Sequence, residues 1–364
     1  MKIGIIGGYG YKNWGDDAQL MHSVIKLKEK GYNDIVVFSR AKYIQKLVNV
    51  PICPSSHNLF KDCKTDDQLL QKYNRLINNT DLNSVEKQFI KNIKSLDVLF
   101  FSGSGTINTR HLRGLCIFLT PCMLAKIFNK KVILSGQGIG PLTKPQYYSF
   151  ITNILNDVDK IYVRDFESGI NQLEALNVNA EIGVDDAFDY PITTDKYDYL
   201  KDKKVVGINI SSFITEELKE VLFNLAVEIE HLDYHAVFNY FQNEGELAEE
   251  ITKGKFEITS FANPSEIAEF YSHCKCAVGM RYHSTIFSIS QKVPHVNLYL
   301  NNYQKLKINA IEEETGLNIG IDCQQETLTV NNIIEVLNFN RTYKNMFVDV
   351  YNDWKNKKYL GYDL

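Results

Sequence analysis

The sequence lacks a strong net charge, a long apolar run and an internal repeat. Its 40 Lys and Arg side chains against 44 Asp and Glu give a formal net charge of −4. Nucleic-acid-binding surfaces are strongly basic, so we expect no nucleic-acid partner. No apolar run approaches the roughly 20 residues that cross a bilayer, and glycines interrupt the apolar start too early for a signal peptide. We expect a cytoplasmic protein, free or peripheral at the inner membrane face, without stable membrane insertion.

The seven cysteines are scattered and odd in number, which does not fit a disulfide framework. Cys274-Lys275-Cys276 is a C-x-C pair without the second pair that a structural zinc site needs. We interpret it as a partly buried strand edge. The sequence therefore predicts free thiols, no metal and no cofactor.

Short apolar segments alternate with amphipathic helical segments along most of the chain. The first strand is predicted at residues 3–6, the first helix at 17–30, and the alternation resumes at 205–210 after a lapse. Such alternation is typical of a mostly parallel sheet with helices on both faces. The predicted fold class is α/β, with two doubly wound, Rossmann-like domains.

The predicted boundaries follow from where the pattern lapses. We place an N-terminal domain at residues 1–190, a linker at 191–204 and a C-terminal domain at 205–364. The polar stretch 62–95 is predicted to be a helical insertion or a lid, and residues 333–357 are predicted to form closing helices.

In doubly wound sheets ligands bind where the strands end, so the chemistry is expected in the loops that follow strands. The first such loop, residues 7–17, is rich in glycine but is neither a dinucleotide-binding nor a Walker pattern. It has two interpretations. Its backbone and the following helix N-terminus bind an anion, or Asp16 or Asp17 simply caps that helix.

Two further strand-end loops leave the backbone bare. They are S-G-S-G-T-I-N at residues 102–108 and G-Q-G-I-G-P at residues 136–141. Bare backbone suits the close approach of a ligand, and an ordinary tight turn is the alternative.

A fourth loop, G-M-R-Y-H-S at residues 279–284, runs from a strand into a helix and places Arg281, His283 and Ser284 at the helix N-terminus. Arg binds carboxylate or phosphate through two N–H groups, and His transfers protons near neutral pH. The helix dipole adds affinity for an anion. Arg164, at the end of another strand, either pairs locally with Asp165 or supplies a second cation.

Three of these segments resemble elements of the polysaccharide pyruvyl transferase family. Residues 13–18 (N-W-G-D-D-A) match its N-x-G-D-[DE]-A element, and residues 136–141 match its G-Q-G-I-G-P element at every position. Residues 163–168 (V-R-D-F-E-S) match its V-R-D-x-x-S element.

Two further segments resemble family elements with one departure each. Residues 184–188 (V-D-D-A-F) resemble D-P-A-F, with Asp186 in place of proline. Residues 279–283 resemble G-x-R-L-H, with Tyr282 in place of leucine. The five segments follow the family's order.

The resemblance implies a fold similar to GT-B glycosyltransferases. It also implies transfer of a pyruvyl group from phosphoenolpyruvate to a sugar of a cell-surface polysaccharide or its lipid-linked precursor, with a ketal and phosphate as products. The family's donor-associated Arg and His residues carry over to Arg164, Arg281 and His283. We expect both arginines to hold one trianionic donor in a cleft between the domains.

The resemblance and the loop chemistry together give the expected site residues. The catalytic residues are His283, Arg281, Asp16 and Asp17; the donor-binding residues are Arg164, Arg281, His283, Ser284, Gly103, Gly105, Gln137 and Gly138; the acceptor-binding residues are Asn13 and Trp14. Phosphoenolpyruvate and a saccharide acceptor are the expected partners, and the sequence leaves a homo-oligomer open.

Two other functions are open on the sequence. A GT-B-type nucleotide-sugar glycosyltransferase often holds its donor with a carboxylate in the corresponding loop, but no Asp or Glu lies between Gly279 and Gln291. That absence favours a small anionic donor. A non-catalytic family relative in glycan assembly is the other alternative, because of the departures at Asp186 and Tyr282.

Overall fold

Short runs of β-branched and aromatic residues form parallel strands, as the sequence predicts. The computed structural model describes residues 1–324, 330–337, 341–357 and 360–364. In these residues the first sheet contains β1 (Lys2–Ile6), β2 (Asp34–Ser39), β3 (Ile52–Pro54), β4 (Val98–Phe101), β5 (Ser104–Ile107), β6 (Lys131–Ile139), β7 (Lys160–Val163) and β8 (Glu181–Ile182). Their order is β3-β2-β1-β4-β6-β7-β8, with β5 beside β6, and the pairings are parallel.

Helices connect these strands and pack against the sheet. They are α1 (Trp14–Glu29), α2 (Ile44–Val48), α3 (His57–Phe60), α4 (Asp66–Ile77), α5 (Ser84–Lys94), α6 (Leu112–Ile127), α7 (Tyr148–Leu155) and α8 (Phe166–Glu174). The stretch predicted as an insertion is helical and corresponds to α4 and α5. Each of the two begins with a capping box, at Thr65 and Asn83, and buries its apolar face against α6.

A second sheet, in the same described residues, contains β9 (Val205–Asn209), β10 (His235–Tyr240), β11 (Glu257–Ser260), β12 (Cys274–Gly279), β13 (His295–Tyr299) and β14 (Gly320–Asp322). Its order is β11-β10-β9-β12-β13-β14, and all the pairings are parallel. The strand order reverses between β9 and β12. In doubly wound folds this reversal marks the point where ligands bind.

The helices of this second half are α9 (Glu216–His231), α10 (Gly245–Thr252), α11 (Pro264–His273), α12 (Tyr282–Ser290), α13 (Asn302–Thr315), α14 (Val330–Leu337) and α15 (Arg341–Lys357). The predicted closing helices correspond to α14 and α15, and residues 338–340 of that prediction lie outside the described residues. The predicted α/β class with two doubly wound sheets is confirmed.

The chain divides into two compact units. Unit 1 comprises Met1–Tyr11, Gln19–Asp186 and Lys357–Leu364, and unit 2 comprises Lys12–Ala18 and Ala187–Asn356. Three short segments therefore group differently from the sequence-based boundaries, namely residues 12–18, 187–190 and 357–364, because a segment joins the unit against which it packs. The stretch predicted as a linker groups with unit 2.

The prediction that the C-x-C pair lies at a strand edge is wrong. Cys274 and Cys276 begin β12, which lies between β9 and β13 in the interior of the second sheet. The pairing with β9 shifts register between the two cysteines, and both side chains are buried. All seven cysteines are free thiols.

Helix α15 is anchored in unit 2 by an aromatic contact. The indole of Trp354 is 1% exposed and packs edge-on against Phe188, with ring centroids 5.4 Å apart. We predict that Trp354→Ala lowers the free energy of unfolding by about 3–5 kcal/mol, because it removes a large buried ring. Denaturant unfolding followed by circular dichroism measures this loss.

The control is Phe213→Ala in the same unit, because Phe213 is 67% exposed. Its truncation is expected to change stability by no more than about 0.5 kcal/mol. Equal effects of the two variants would contradict the packing role of Trp354.

Candidate functional site

The R-x-H segment lies at the strand-order reversal of the second sheet. β12 ends at Gly279, Arg281 precedes α12 in an extended conformation, and His283 is in the first turn of the helix. A Cβ on Gly279 would overlap the hydroxyl of Ser284 and lie 2.8 Å from Cε1 of His295. The glycine therefore lets α12 begin directly against the end of its strand.

Three hydrogen bonds to one carbonyl hold the turn around Arg281. The carbonyl of Arg281 accepts from the backbone N–H of Ser284 at 3.0 Å, the hydroxyl of Ser284 at 2.5 Å and the amide of Asn297 at 3.3 Å. Ser284 is fully buried. Its hydroxyl thus has a structural role in the turn, and its expected contact with the donor stays a prediction.

The guanidinium of Arg281 is oriented by the loop after β10. Its Nη2 donates to Oε1 of Gln242 at 2.9 Å and to the carboxylate of Glu244. Glu244 is itself fixed, because its other oxygen accepts from the backbone N–H of Gln242 at 2.9 Å. Nε of Arg281 is buried and has no acceptor among the residues that the structure describes. The group therefore retains a donor that can bind an anion.

The N-x-G-D-D-A element contacts the same loop. The backbone N–H of Trp14 donates to the carbonyl of Phe241 at 3.2 Å, next to Gln242. Asn13 caps α1, because its Oδ1 accepts from the N–H of Gly15 at 3.2 Å, and its amide donates to Asp16 at 2.8 Å. The cap is thus Asn13, and neither Asp16 nor Asp17 is needed for it.

Gly15 lies directly against His283. A Cβ built on Gly15 would overlap the imidazole and lie 2.7 Å from the Cβ of His283. Gly15 of the N-W-G-D-D-A segment therefore leaves the space that His283 of the G-M-R-Y-H segment occupies. Asn13, Trp14, Asp16 and Asp17 all belong to this segment, and within unit 2 the structure places it beside His283.

Tyr282, where the family pattern has leucine, packs beside the same histidine. Its ring meets the imidazole of His283 edge-on, with centroids 5.3 Å apart, and Nζ of Lys307 lies 5.6 Å from the centre of the tyrosine ring. The imidazole is thus flanked by Gly15 and Tyr282. His283 is buried, with 7% of its surface exposed.

Buried polar groups of β9, β10, α12 and β13 lie next to the loop of residues 279–284. Asn209, at the end of β9, donates to Oδ1 of Asn239 at 2.9 Å, and the backbone N–H of Met280 donates to the carbonyl of Asn209 at 3.1 Å. Burial lowers the pKa of His295 to about 3, so this imidazole is neutral at physiological pH, and its Nδ1 shares a hydrogen bond with the hydroxyl of Ser288, 2.9 Å away.

In unit 1, Arg164 lies between two carboxylates. Its side chain is 2% exposed and forms a close ion pair with Asp185, and Oδ1 of the neighbouring Asp165 lies 4.0 Å from its Nε, at the limit of an ion pair. Asp185 also accepts from the amide of Gln19 at 2.9 Å. A Cβ on Gly138 would come within 3.2 Å of the guanidinium, so this glycine makes room for Arg164.

Asp186 is fully enclosed in unit 1 and accepts three hydrogen bonds. The hydroxyls of Ser135 and Tyr362 donate to one oxygen at 2.8 Å each, and the backbone N–H of Gly103 donates to the other at 2.6 Å. The pKa of Asp186 is raised to about 6, chiefly by burial; the charge of Asp185 also raises it, and the three donors oppose the shift. The N–H of Gly103 is thus engaged inside the unit.

The amide of Gln137 is also fully engaged within unit 1. Its Nε2 donates to the carbonyls of Phe101, Ser102 and Ser135 at 2.8–3.0 Å, and its Oε1 accepts from Ser104 at 2.9 Å. This network ties the glycine-rich loops together.

Donor contacts of the unit 1 residues stay predictions. The carbonyl of Gly105 accepts from Asn108 at 3.1 Å, and Gly103, Gln137, Gly138 and Arg164 have the partners described above. Arg164 belongs to unit 1 and Arg281 to unit 2, and their joint contact with one donor stays a prediction as well.

Sequence reasoning missed the loop after β10. Phe241, Gln242 and Glu244 follow directly on a strand, which is the same signal that singled out the glycine-rich loops. This loop has no glycine-rich run and no cluster of charged residues, so its composition did not distinguish it from an ordinary loop.

Solved structures with a similar fold cover nearly the whole chain. The chain matches the S. aureus MnaA–UDP co-structure at a TM-score of 0.63 and 12% identity, over 97% of this chain and 92% of that one. It matches UDP-GlcNAc 2-epimerase from Neisseria meningitidis bound to UDP-GlcNAc at 0.63 and 12%, over 100% and 97%. It matches the spinosyn rhamnosyltransferase SpnG at 0.61 and 12%, over 98% and 96%.

These structures show that the chain has the fold of GT-B glycosyltransferases and UDP-GlcNAc 2-epimerases. At 12% identity the likeness concerns the fold alone. The family is set by sequence, because the model of the polysaccharide pyruvyl transferase family matches residues 13–302. The chain belongs to the polysaccharide pyruvyl transferase family. No curated protein matches the sequence.

None of the helices in the described residues is both long enough and apolar enough to cross a bilayer.

The contact between Gly15 and His283 generates a second prediction. Gly15→Ala is expected to lower the free energy of unfolding by about 1–3 kcal/mol, because the added methyl group overlaps a buried ring. In a His283→Ala background the overlap with the ring disappears and only the 2.7 Å approach to the remaining Cβ is left, so the same change is expected to cost less. A double-mutant cycle in urea measures the difference. Additive effects would show that the two residues do not touch.

The enclosure of Asp186 generates a third prediction. Its pKa in the folded protein, about 6, lies above that of an unfolded Asp, so the folded state holds the proton to higher pH. The folded state therefore loses stability as pH rises from about 4 to about 6. Asp186→Asn removes this loss and keeps an acceptor for the N–H of Gly103, while its amide donates to the two hydroxyls.

We expect Asp186→Asn to gain stability relative to the wild type across this range, by on the order of 3 kcal/mol at neutral pH. Urea midpoints measured at several pH values check it. Parallel curves for the two proteins would contradict the raised pKa.

Proposed function

We propose that this protein transfers the pyruvyl group of phosphoenolpyruvate to two hydroxyls of a sugar, forming a cyclic ketal and releasing phosphate. The acceptor is a sugar of a cell-surface polysaccharide or its lipid-linked precursor. Family membership supports the reaction class. The observation that carries the proposal is that the fixed guanidinium of Arg281 and the imidazole of His283 both lie at the N-terminus of α12, where the strand order of the second sheet reverses.

The chemistry needs a proton on the methylene carbon of the enol phosphate. Protonation converts this carbon to a methyl group and leaves an oxocarbenium-like centre, which one sugar hydroxyl attacks. The C–O bond to phosphate then breaks, and the second hydroxyl closes the ketal. The two hydroxyls lose two protons in total: one balances the proton delivered to carbon and the other leaves with phosphate.

Arg281 and His283 fit the first half of this reaction, in which the donor is bound and protonated. Arg281 binds the carboxylate or phosphate of the donor through Nε, while Glu244 and Gln242 hold the other side of the guanidinium. A cation held in place before the reaction stabilises developing charge without reorganisation. His283 is the general acid, a role that typically contributes roughly 10²–10⁴ in rate.

The first element fits the acceptor half. The carboxylate of Asp16 is held by the amide of Asn13 and is half-buried, so it can accept a proton from, or orient, a sugar hydroxyl. Trp14 is half-buried and offers a ring face for sugar stacking. Asp17 is enclosed, so we favour Asp16 for the acceptor role. Arg164 is retained as a second donor contact on the strength of the family motif.

A nucleotide-sugar donor is the second candidate. The similar structures include proteins solved with UDP and UDP-GlcNAc. The sequence argument against such a donor was the lack of a carboxylate in residues 279–291. Glu244, from another loop, supplies a carboxylate at Arg281. The two donors must therefore be separated by experiment.

Binding of the donor is measured first, because it needs no acceptor. We expect phosphoenolpyruvate to raise the melting temperature of the wild type, and UDP and UDP-GlcNAc to leave it unchanged. Arg281→Ala is expected to abolish the shift, because it removes the cation that the donor carboxylate or phosphate contacts. Lys275→Ala is the matched control, since it removes one positive charge from the exposed opposite end of the same strand.

Turnover is then followed as phosphate release with saccharide acceptors. His283→Ala should retain the phosphoenolpyruvate-dependent shift and lose about 10²-fold or more in rate. Protection by the nucleotide sugar and not by phosphoenolpyruvate would reverse the ranking of the two candidates. Near-wild-type turnover of both variants would refute the assignment of Arg281 and His283.

A further inference from the structure

The segment predicted as a linker is tied to one face of α11. The backbone N–H of Thr193 donates to the hydroxyl of Ser265 at 2.6 Å, and the backbone N–H of Tyr197 donates to Oε1 of Glu269 at 2.8 Å. Ser265, Glu269 and His273 are spaced by four residues, so they lie on the same side of the helix. Each polar group on this face that precedes His273 thus has a partner in the segment.

At the last turn of this face, three metal-ligating side chains come together. Asp198 from the segment and Glu269 and His273 from α11 each offer one ligand atom, and these atoms lie within 4.8 Å of one another. Glu269 is 2% exposed, whereas His273 is half-buried and Asp198 is exposed. The group is therefore open to solvent on one side and closed on the other.

Glu269 gives a second, independent observation. Its Oε2 is buried and has no hydrogen-bond donor in the described part of the chain. A buried carboxylate oxygen without a donor is costly unless a cation or a proton compensates its charge. A bound cation beside His273 and Asp198 would supply that compensation.

We propose that Asp198, Glu269 and His273 form a binding site for a divalent transition-metal ion of the zinc class. One imidazole and two carboxylates are ligands that Zn²⁺ accepts, with bonds of about 2.0–2.2 Å and water in the remaining position. Two carboxylates balance the charge of the ion. The imidazole disfavours Mg²⁺ and Ca²⁺, which prefer oxygen ligands.

The site needs only local movement to close. Ligand atoms in a tetrahedral zinc site are roughly 3.3 Å apart given those bond lengths, so the 4.8 Å spread must shrink. The side chain of Asp198 can move, because it is exposed and its ion pair with Lys201, at 2.6 Å, is exposed on both sides. Such surface pairs contribute little, so a divalent ion displaces the lysine.

The site is separate from the R-x-H loop within unit 2. His273 is the residue before β12, whereas Arg281 follows it, so the two groups lie at opposite ends of one strand. The role of the ion is to clamp the segment around Asp198 onto α11. The sequence predicted no metal, because its ligands come from two elements far apart in the chain.

The full-length protein, stripped with a chelator and dialysed, is titrated with Zn²⁺ by calorimetry. We expect one saturable site and a rise in melting temperature on binding. His273→Ala and Glu269→Gln should each weaken binding by at least about tenfold, since loss of even an outer-sphere partner costs that much. The matched control is His231→Ala, which removes an exposed histidine lying 3.7 Å from Glu228 on α9 and should not change the affinity.

Circular dichroism of the metal-free variants confirms that they are folded. Substitution with Co²⁺ gives a further readout, because its visible absorption reports nitrogen and oxygen coordination and should be lost in His273→Ala. No saturable binding to the wild type, or binding that His273→Ala and Glu269→Gln leave unchanged, would overturn the proposal.

Discussion

The candidate site of unit 2 depends on one packing contact, that between the bare backbone of Gly15 and the imidazole of His283. Any side chain at position 15 would displace the ring. Because Asn13 and Asp16 are hydrogen-bonded around this glycine and Arg281 lies two residues before the histidine, one contact brings two distant segments of the sequence together. The loop after β10 reinforces it, since that loop binds both segments.

The fold was predictable from the sequence because strand and helix periodicity are local properties. The alternation of apolar and amphipathic segments gave both parallel sheets, and the position of residues 279–284 at a strand end was expected from it. The boundaries were less accessible. Residues 12–18 group with unit 2 through long-range packing, which no local pattern records. The prediction that Cys274 lies at a strand edge was wrong for the same reason, because the order of strands in a sheet is set by pairings between segments distant in sequence.

The charged residues show a second limit. The sequence identified Arg164 and Arg281 as cations, but each is paired with a carboxylate distant in sequence, Asp185 and Glu244. A count of motif charges treats both as available, whereas the structure shows that both are held. A carboxylate that holds a guanidinium in place weakens its attraction for an anion. The same carboxylate fixes the direction in which the guanidinium donates its hydrogen bonds. For a donor that carries carboxylate and phosphate, direction decides which group lies near His283.

The two departures from the family pattern weigh little in favour of a non-catalytic protein. Proline at position 186 would carry no carboxylate, whereas Asp186 accepts from Gly103, Ser135 and Tyr362, so the acid is accommodated inside unit 1. Tyr282 keeps an apolar ring against His283, as a leucine would provide apolar contact, and adds a ring face toward a lysine. Both substitutions are thus compensated by their own neighbours. A loss of function would have to be argued from Arg281 or His283, and both of these match the family pattern.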